Sequence, residues 1–283
     1  MSSLAAYSDK KSGPWILASA KFLFGTLAIS LKLIPASIIV LAFAMHFFGA
    51  IGSLPKAYPE LKQLTKKQLI KISSLGLALV ITDVSYFYAI RVMDVSVSTL
   101  LRWVAPVLLG IGVFVTTRQT NNYRAVIATV TAFIGLGLVL SGQGFDFGTA
   151  NFYGVAAAFI SAASVAVYWY SSKRVLHNIS PMTVLFLRSM AACLVLLPFI
   201  GWQGLGSSWW PVILFGFVYG FFASYLDTIG IQRTPIILVG LIGYIVPLTS
   251  VFGATVLLGE TISPIMAIGG LIVLASGLWA QRT

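Results

Sequence analysis

Six ionisable side chains sit inside long apolar stretches of this 283-residue chain: Lys21, His46, Asp83, Arg102, Arg188 and Asp227. In a low-dielectric setting each such charge costs about 2.5–3.5 kcal/mol on insertion scales, so it persists where it pairs, binds or moves a charge. Three bases, two acids and a histidine are the parts needed to trade an ion pair for a charged ligand or a proton. They are not the parts of an enzyme. The two histidines (His46, and His177 in a loop) and the one cysteine, Cys193, form no nucleophile–base set, and no HExxH run is present. The expectation is therefore no catalytic residue, no metal ligand and no cofactor.

Depth suggests partners. Asp83 lies eight residues before Arg91, and Arg102 eight residues beyond Asp94. At 1.5 Å per residue both sit roughly 12 Å below the same loop, so they suit a pair across one helical hairpin. Arg188, eight residues past Ser180, and Asp227, six before Arg233, share a depth near the opposite surface. These pairs read either as structural neutralisation or as two exchangeable gates, with substrate or a proton breaking one while the other holds. Lys21 either snorkels to the surface or offers an anion contact in a cavity. His46 either packs or couples a proton. Trp103 and Tyr244 each stand three residues before a mid-helix proline, Pro106 and Pro247. Such a proline leaves the carbonyl four residues back unbonded, so a polar ligand can dock there beside a stacking ring; the alternative is packing around a kink.

The elements that carry these residues are apolar runs over 15–34, 36–54, 69–89, 95–116, 123–141, 152–170, 181–200, 210–231, 236–258 and 264–280. Hydrophobic residues make up 58% of the chain and charged residues 9%, against roughly 25% charged in soluble domains. No stretch outside the runs can bury a core of its own. In hydrocarbon every backbone polar group needs an internal partner, so runs of this length predict helices. Ser180-Pro181 and Ser263-Pro264 place an N-cap before a first-turn proline. The net charge of +11 does not point to nucleic acid, because the cations lie between the runs. With the N-terminus inside, 13 of them (at 10, 11, 56, 62, 66, 67, 71, 118, 124, 173, 174, 233 and 282) fall on the cytoplasmic side and two, Lys32 and Arg91, on the other. That asymmetry places both termini in the cytoplasm. Tyr168-Trp169-Tyr170 reads as an interfacial aromatic belt, and Gly216 with Gly220 as close helix packing.

A repeat appears at an offset of 141 residues. Ile90 to Pro106 aligns with Ile231 to Pro247, then Gly112 with Gly253, Val115 with Val256 and Thr120 with Thr261. The fold class expected is an all-α membrane protein of ten transmembrane helices in two inverted five-helix repeats, 1–141 and 142–283. An odd number of spans per repeat turns the second over relative to the first.

The stretch 240–280 carries a sharper signature: Tyr244, Pro247 three residues on, an apolar run, Leu258-Gly259-Glu260, and a closing helix with Gly269, Gly270 and Gly277. It resembles the end of a repeat in the drug/metabolite transporter superfamily, EamA type. Tyr86-Phe87-Tyr88-Ala89 and Pro106 resemble it more weakly in the first half, where Gln119 replaces the acid; Arg188, ten residues before Pro198, fits the second helix of a repeat. The resemblance implies a substrate cavity between the first four helices of each half, with the fifth and tenth peripheral and sometimes at a homodimer contact. It also implies a secondary transporter, most often an exporter, of a small polar metabolite such as an amino acid or a derivative, working by alternating access. Lys21, Arg102, Trp103, Arg188 and Tyr244 are then the substrate contacts, and Asp83, Asp227 and His46 the coupling or gating groups. With no P-loop, uphill movement would draw on an ion gradient, protons being the natural coupling ion. The alternative is uptake or exchange of a larger anionic or nucleoside-bearing metabolite, with Lys21, Arg102 and Arg188 as anion contacts. A channel would show a filter-like loop or ring of charges, and neither is evident. The expected partners are the small-molecule substrate and the bilayer, without nucleic acid, and the short loops suit a bacterial inner membrane.

Overall fold

A computed structural model describes residues 2–105, 107–108, 123–142, 149–175, 179–201, 209–234 and 242–281. Pro106, Gln119 and His177 lie outside the described residues. All regular structure within them is helical: α1 (Ser2–Leu33), α2 (Ile38–Leu61), α3 (Lys66–Val92), α4 (Val95–Arg102), α5 (Tyr123–Gly142), α6 (Thr149–Val175) and α7 (Pro181–Leu196). Then come α8 over 209–233, α9 (Ile245–Leu258) and α10 (Pro264–Gln281). Among the described residues six stretches are long and apolar enough to cross a bilayer: Ser12–Leu33, Ile38–Leu61, Lys66–Val92, Asn151–Ser171, Pro181–Phe199 and Trp209–Ile231.

Local chemistry sets the ends. The Ser180 hydroxyl accepts from the Thr183 N–H at 3.3 Å, and the Ser263 hydroxyl from the Met266 N–H at 3.2 Å, each just ahead of its proline. Helix α4 stops at Arg102, and a turn at Trp103 follows. A second turn falls at Tyr244, 141 residues later and directly before α9. Both breaks come three residues before a proline, where the carbonyl of residue 102 or 243 has lost its α-helical donor. The uninterrupted runs expected over 95–116 and 236–258 are thus interrupted where the prolines dictate.

The chain forms two compact units, Met1–Val80 with Ser171–Val246, and Ile81–Tyr170 with Pro247–Thr283, each drawing on both sequence halves. In the first, α2 packs along α7 and along the middle of α8, and α1 along the end of α8; in the second, α5 packs on α10. Contacts within the units recur at the 141-residue offset. A Cβ at Gly13 would lie 2.6 Å from the Arg233 carbonyl, and one at Gly154 would lie 2.7 Å from the equivalent Val92. Likewise Gly135 meets Ile272, while the equivalent Thr131 and Ser276 share a 2.8 Å hydrogen bond.

Two glutamates cap helices other than their own. Gly259, in the left-handed region at φ 70°, turns the chain at the end of α9. Glu260 then accepts the Val95 and Ser96 N–H groups at 2.6 and 3.0 Å, meeting the exposed donors at the start of α4. Glu60 does the same for the Ser180 N–H ahead of α7, at 3.0 and 3.2 Å. The Leu-Gly-Glu motif thus acquires a physical task, holding the helix that carries Arg102. Glu260→Ala is expected to cost about 1.5–3 kcal/mol, the worth of hydrogen bonds to a charged group. The thermal midpoint in detergent should fall, with Glu260→Gln between it and wild type; an unchanged midpoint would exclude this role.

Candidate functional site

In the first unit α1 and the end of α8 run antiparallel with their backbones close. A Cβ at Gly230 would meet the Leu17 Cα at 2.8 Å, so only glycine allows the approach. One helical turn further along each helix, Lys21 and Asp227 face each other, with the Lys21 Nζ 2.7 Å from the Asp227 carboxylate. The two side chains are 18% and 22% exposed, so the pair is neither sealed nor solvent-bathed. Two turns beyond, the Tyr219 hydroxyl lies 2.9 Å from the Thr26 hydroxyl and 2.7 Å from that of Ser30. Thr26 and Ser30 are four apart on α1 and so share a face. Since Thr26 gives its one hydrogen to the Leu23 carbonyl at 2.8 Å, it accepts from Tyr219, and Tyr219 accepts from Ser30. The result is a directed hydroxyl chain, Ser30 to Tyr219 to Thr26, ending on a backbone oxygen.

This corrects the expected pairing of Asp227 with Arg188: the acid meets Lys21 of α1 instead. Equal depth on a hairpin says nothing about which way each side chain faces around its helix, and Asp227 lies on the face that Gly230 presses onto α1. At the 141-residue offset, Lys21 and Asp227 correspond to Ala162 and Tyr86. The ion pair therefore has no counterpart in the other half.

What stands there instead is a cation on a ring. The Arg102 guanidinium carbon lies 4.1 Å from the centre of the Tyr86 ring, and the Tyr86 hydroxyl is bonded to that of Thr99 at 2.8 Å. Thr99 lies three residues before Arg102 on α4, so the bond ties ring and guanidinium to one helix face. Among the described residues Arg102 meets no carboxylate, so the pairing with Asp83 read from depth gives way to this stack. Asp83 is buried on α3, and His46 is buried on α2. Trp103 tilts against Trp169 with ring centres 6.4 Å apart, so Trp169 packs within this unit and does not serve only as a belt residue. Tyr244 is buried at its turn, and Arg188 lies partly buried on α7, where its backbone carbonyl abuts Gly76 of α3.

Sequence reasoning missed Thr26, Ser30 and Tyr219. Neutral hydroxyls in apolar runs carry no charge to flag them. The available signal was Tyr219, a polar ring within an apolar run and directly beside the close-packing pair Gly216 and Gly220.

Residues 152–280 match the EamA-like transporter family. An "Uncharacterized transporter" of Archaeoglobus fulgidus is 26% identical over 273 residues, covering 92% of this chain and 93% of its own. The second half of the chain thus carries an EamA-like transporter domain, of the drug/metabolite transporter superfamily. A solved crystal structure, 21% identical, matches 95% of this chain and 98% of its own with a TM-score of 0.61, a likeness of fold. With its long apolar helices and this EamA-like domain the chain is a multi-pass integral membrane protein, and along its length it is similar to a transporter.

Proposed function

We propose that this EamA-type chain is a secondary transporter of a small polar metabolite carrying a carboxylate, an amino acid or a derivative, and that it works by alternating access as a proton-coupled exporter. The observation that carries the substrate class is Arg102. Three bases and two acids stand in the apolar runs, which leaves one cation in surplus. Lys21 is neutralised by Asp227, whereas Arg102 rests over a ring, 4.1 Å from its centre, and meets no described carboxylate. A planar guanidinium fixed in this way matches a carboxylate through two parallel hydrogen bonds. The Tyr86 face holds the cation in place without neutralising it, as a carboxylate partner would. Trp103, next in sequence, supplies a ring for the rest of the substrate. Lys21 and Asp227 form the exchangeable pair, with a proton on Asp227 or a substrate carboxylate on Lys21 able to part them.

The same proposal includes ten spans in two inverted five-helix repeats, both termini on the cytoplasmic face of a bacterial inner membrane, and transport without enzymatic activity or cofactor. The contacts recurring at the 141-residue offset and the matching turns at Trp103 and Tyr244 support the repeat.

The test is a thermal-stabilisation screen of the purified protein in detergent against L-amino acids, phosphorylated sugars and nucleosides. Stabilisation by carboxylate-bearing amino acids, lost in Arg102→Gln, is the expected result. Stabilisation confined to phosphorylated or nucleoside compounds would replace this reading with that of a larger anionic substrate.

A further inference from the structure

Helix α8 is not α-helical throughout. Trp209–Phe215 is α, Gly216–Ala223 is π, and Ser224–Arg233, which carries Asp227, is α again. A π stretch shifts each backbone bond from i−4 to i−5, so the turns hold an extra residue. Returning one residue to the α pattern would turn everything downstream by about 100° and shift it about 1.5 Å along the axis. Such stretches are energetically poorer than α-helix and persist where neighbours hold them.

The neighbours here are identifiable. On one side α2 presses against the π stretch: a Cβ at Gly220 would overlap the Met45 carbonyl, and one at Gly49 would meet the Gly220 carbonyl at 2.8 Å. A Cβ at Gly216 would meet the Ala44 carbonyl at 2.7 Å. On the other side Tyr219 is held by Thr26 and Ser30 of α1. The Ser224 hydroxyl donates to the Tyr219 carbonyl at 2.9 Å, occupying a carbonyl inside the widened turns. Below the stretch, Asp227 is held by Lys21, and Tyr225 by Lys56, whose Nζ lies 2.9 Å from its hydroxyl.

Tyr219, inside the only π segment among the described residues, and Asp227, four residues past its end, are thus two attachments of one helix to α1. With both attachments made, the downstream part is held in its observed rotation. With either released, the π stretch is free to relax toward α and carry Asp227 around the helix. We infer that Tyr219 is a positioning residue of the transport cycle, and that Gly216–Ala223 is the point at which α8 changes register as the Lys21–Asp227 pair opens and closes. From the preceding reading this takes only that the pair opens; it does not depend on the substrate being an amino acid.

The inference is tested without substrate, by pulsed electron paramagnetic resonance on the full-length protein in nanodiscs. A Cys193→Ser background removes the one native thiol. One spin label replaces Leu194, which is 64% exposed on α7. The second replaces either Leu214, before the π stretch, or Ile229, after it. Each pair is measured in the parent and with Tyr219→Phe, Ser224→Ala or Asp227→Asn. Tyr219→Phe keeps the ring packed on Phe215, 4.9 Å away between centres, and removes only the two hydroxyl bonds. The expected result is a new 194–229 distance component in each variant, displaced by up to about 8 Å for a label riding on a turning helix, with the 194–214 distance unmoved. Unmoved distances for both pairs in folded Tyr219→Phe and Ser224→Ala proteins would overturn the inference, leaving the π stretch as fixed packing. Equal movement of both pairs would also overturn it, because α8 would then move as one body. Failure of the ligand screen leaves these distances unaffected, so the two readings fail separately.

Discussion

Asp227→Asn should give a folded protein whose substrate counterflow in liposomes is reduced at least tenfold. The expectation follows from Lys21, which in this variant keeps its charge and loses the Asp227 carboxylate. Breaking one side of a buried pair costs about 3–5 kcal/mol, and the partial exposure of this one lowers the figure to about 1–3 kcal/mol. Lys21→Met strands the opposite charge and should destabilise by a similar amount. The double variant Lys21→Met/Asp227→Asn strands neither, so its thermal stability should exceed that of either single variant. Transport separates the two roles of the pair. If it only neutralises the helices for insertion, the double variant regains both stability and flux. If it opens and closes during the cycle, stability returns and counterflow does not. Measuring both properties in all three variants distinguishes these cases, and recovered counterflow in the double variant would reduce the pair to a structural one.

Arg102→Gln should raise the half-saturating concentration of a carboxylate substrate about 100-fold, equivalent to about 3 kcal/mol and in the range of a hydrogen bond to a charged partner. The variant should remain well folded, because among the described residues no carboxylate is left stranded when the guanidinium goes. This is where Arg102 differs from Lys21. Arg102→Lys keeps the charge and loses the flat two-pronged edge and the stacking plane, so about tenfold weakening is expected. Tyr86→Leu removes the surface on which the guanidinium rests and should act in the same direction, with a smaller effect. Concentration-dependent counterflow checks the series. A half-saturating concentration within twofold of wild type in Arg102→Gln would show that the substrate is held elsewhere.

The helices could be read from the sequence because hydrocarbon leaves a 20-residue apolar run no alternative, and their starts because Ser180-Pro181 and Ser263-Pro264 satisfy N–H donors where a helix begins. The tight contact at Gly216 and Gly220 was readable for a similar reason, since only glycine admits a carbonyl so close. Partner choice was not. Asp227 and Arg188 share a depth, but contact also depends on rotation about the helix axis, and that is set by Gly230 against Leu17. Arg102 was matched to an acid because charge is conspicuous in a sequence, whereas a tyrosine ring four residues before Ile90 looks like ordinary packing. The π stretch has no residue signature beyond its glycines, because it arises from what α1 and α2 do to α8 from either side. Glu260 was visible as part of a motif, but its task lies 165 residues away in sequence, at Val95.

The central claim, that this chain is a carrier for small carboxylate-bearing metabolites, is tested most directly by counterflow. Purified protein in liposomes loaded with a millimolar mixture of L-amino acids is given a trace of labelled amino acid outside. Transient, saturable accumulation of label is expected, absent from empty liposomes and strongly reduced in Asp227→Asn. Uptake that rises linearly with concentration, or that is identical in empty liposomes for every amino acid tried, would contradict it.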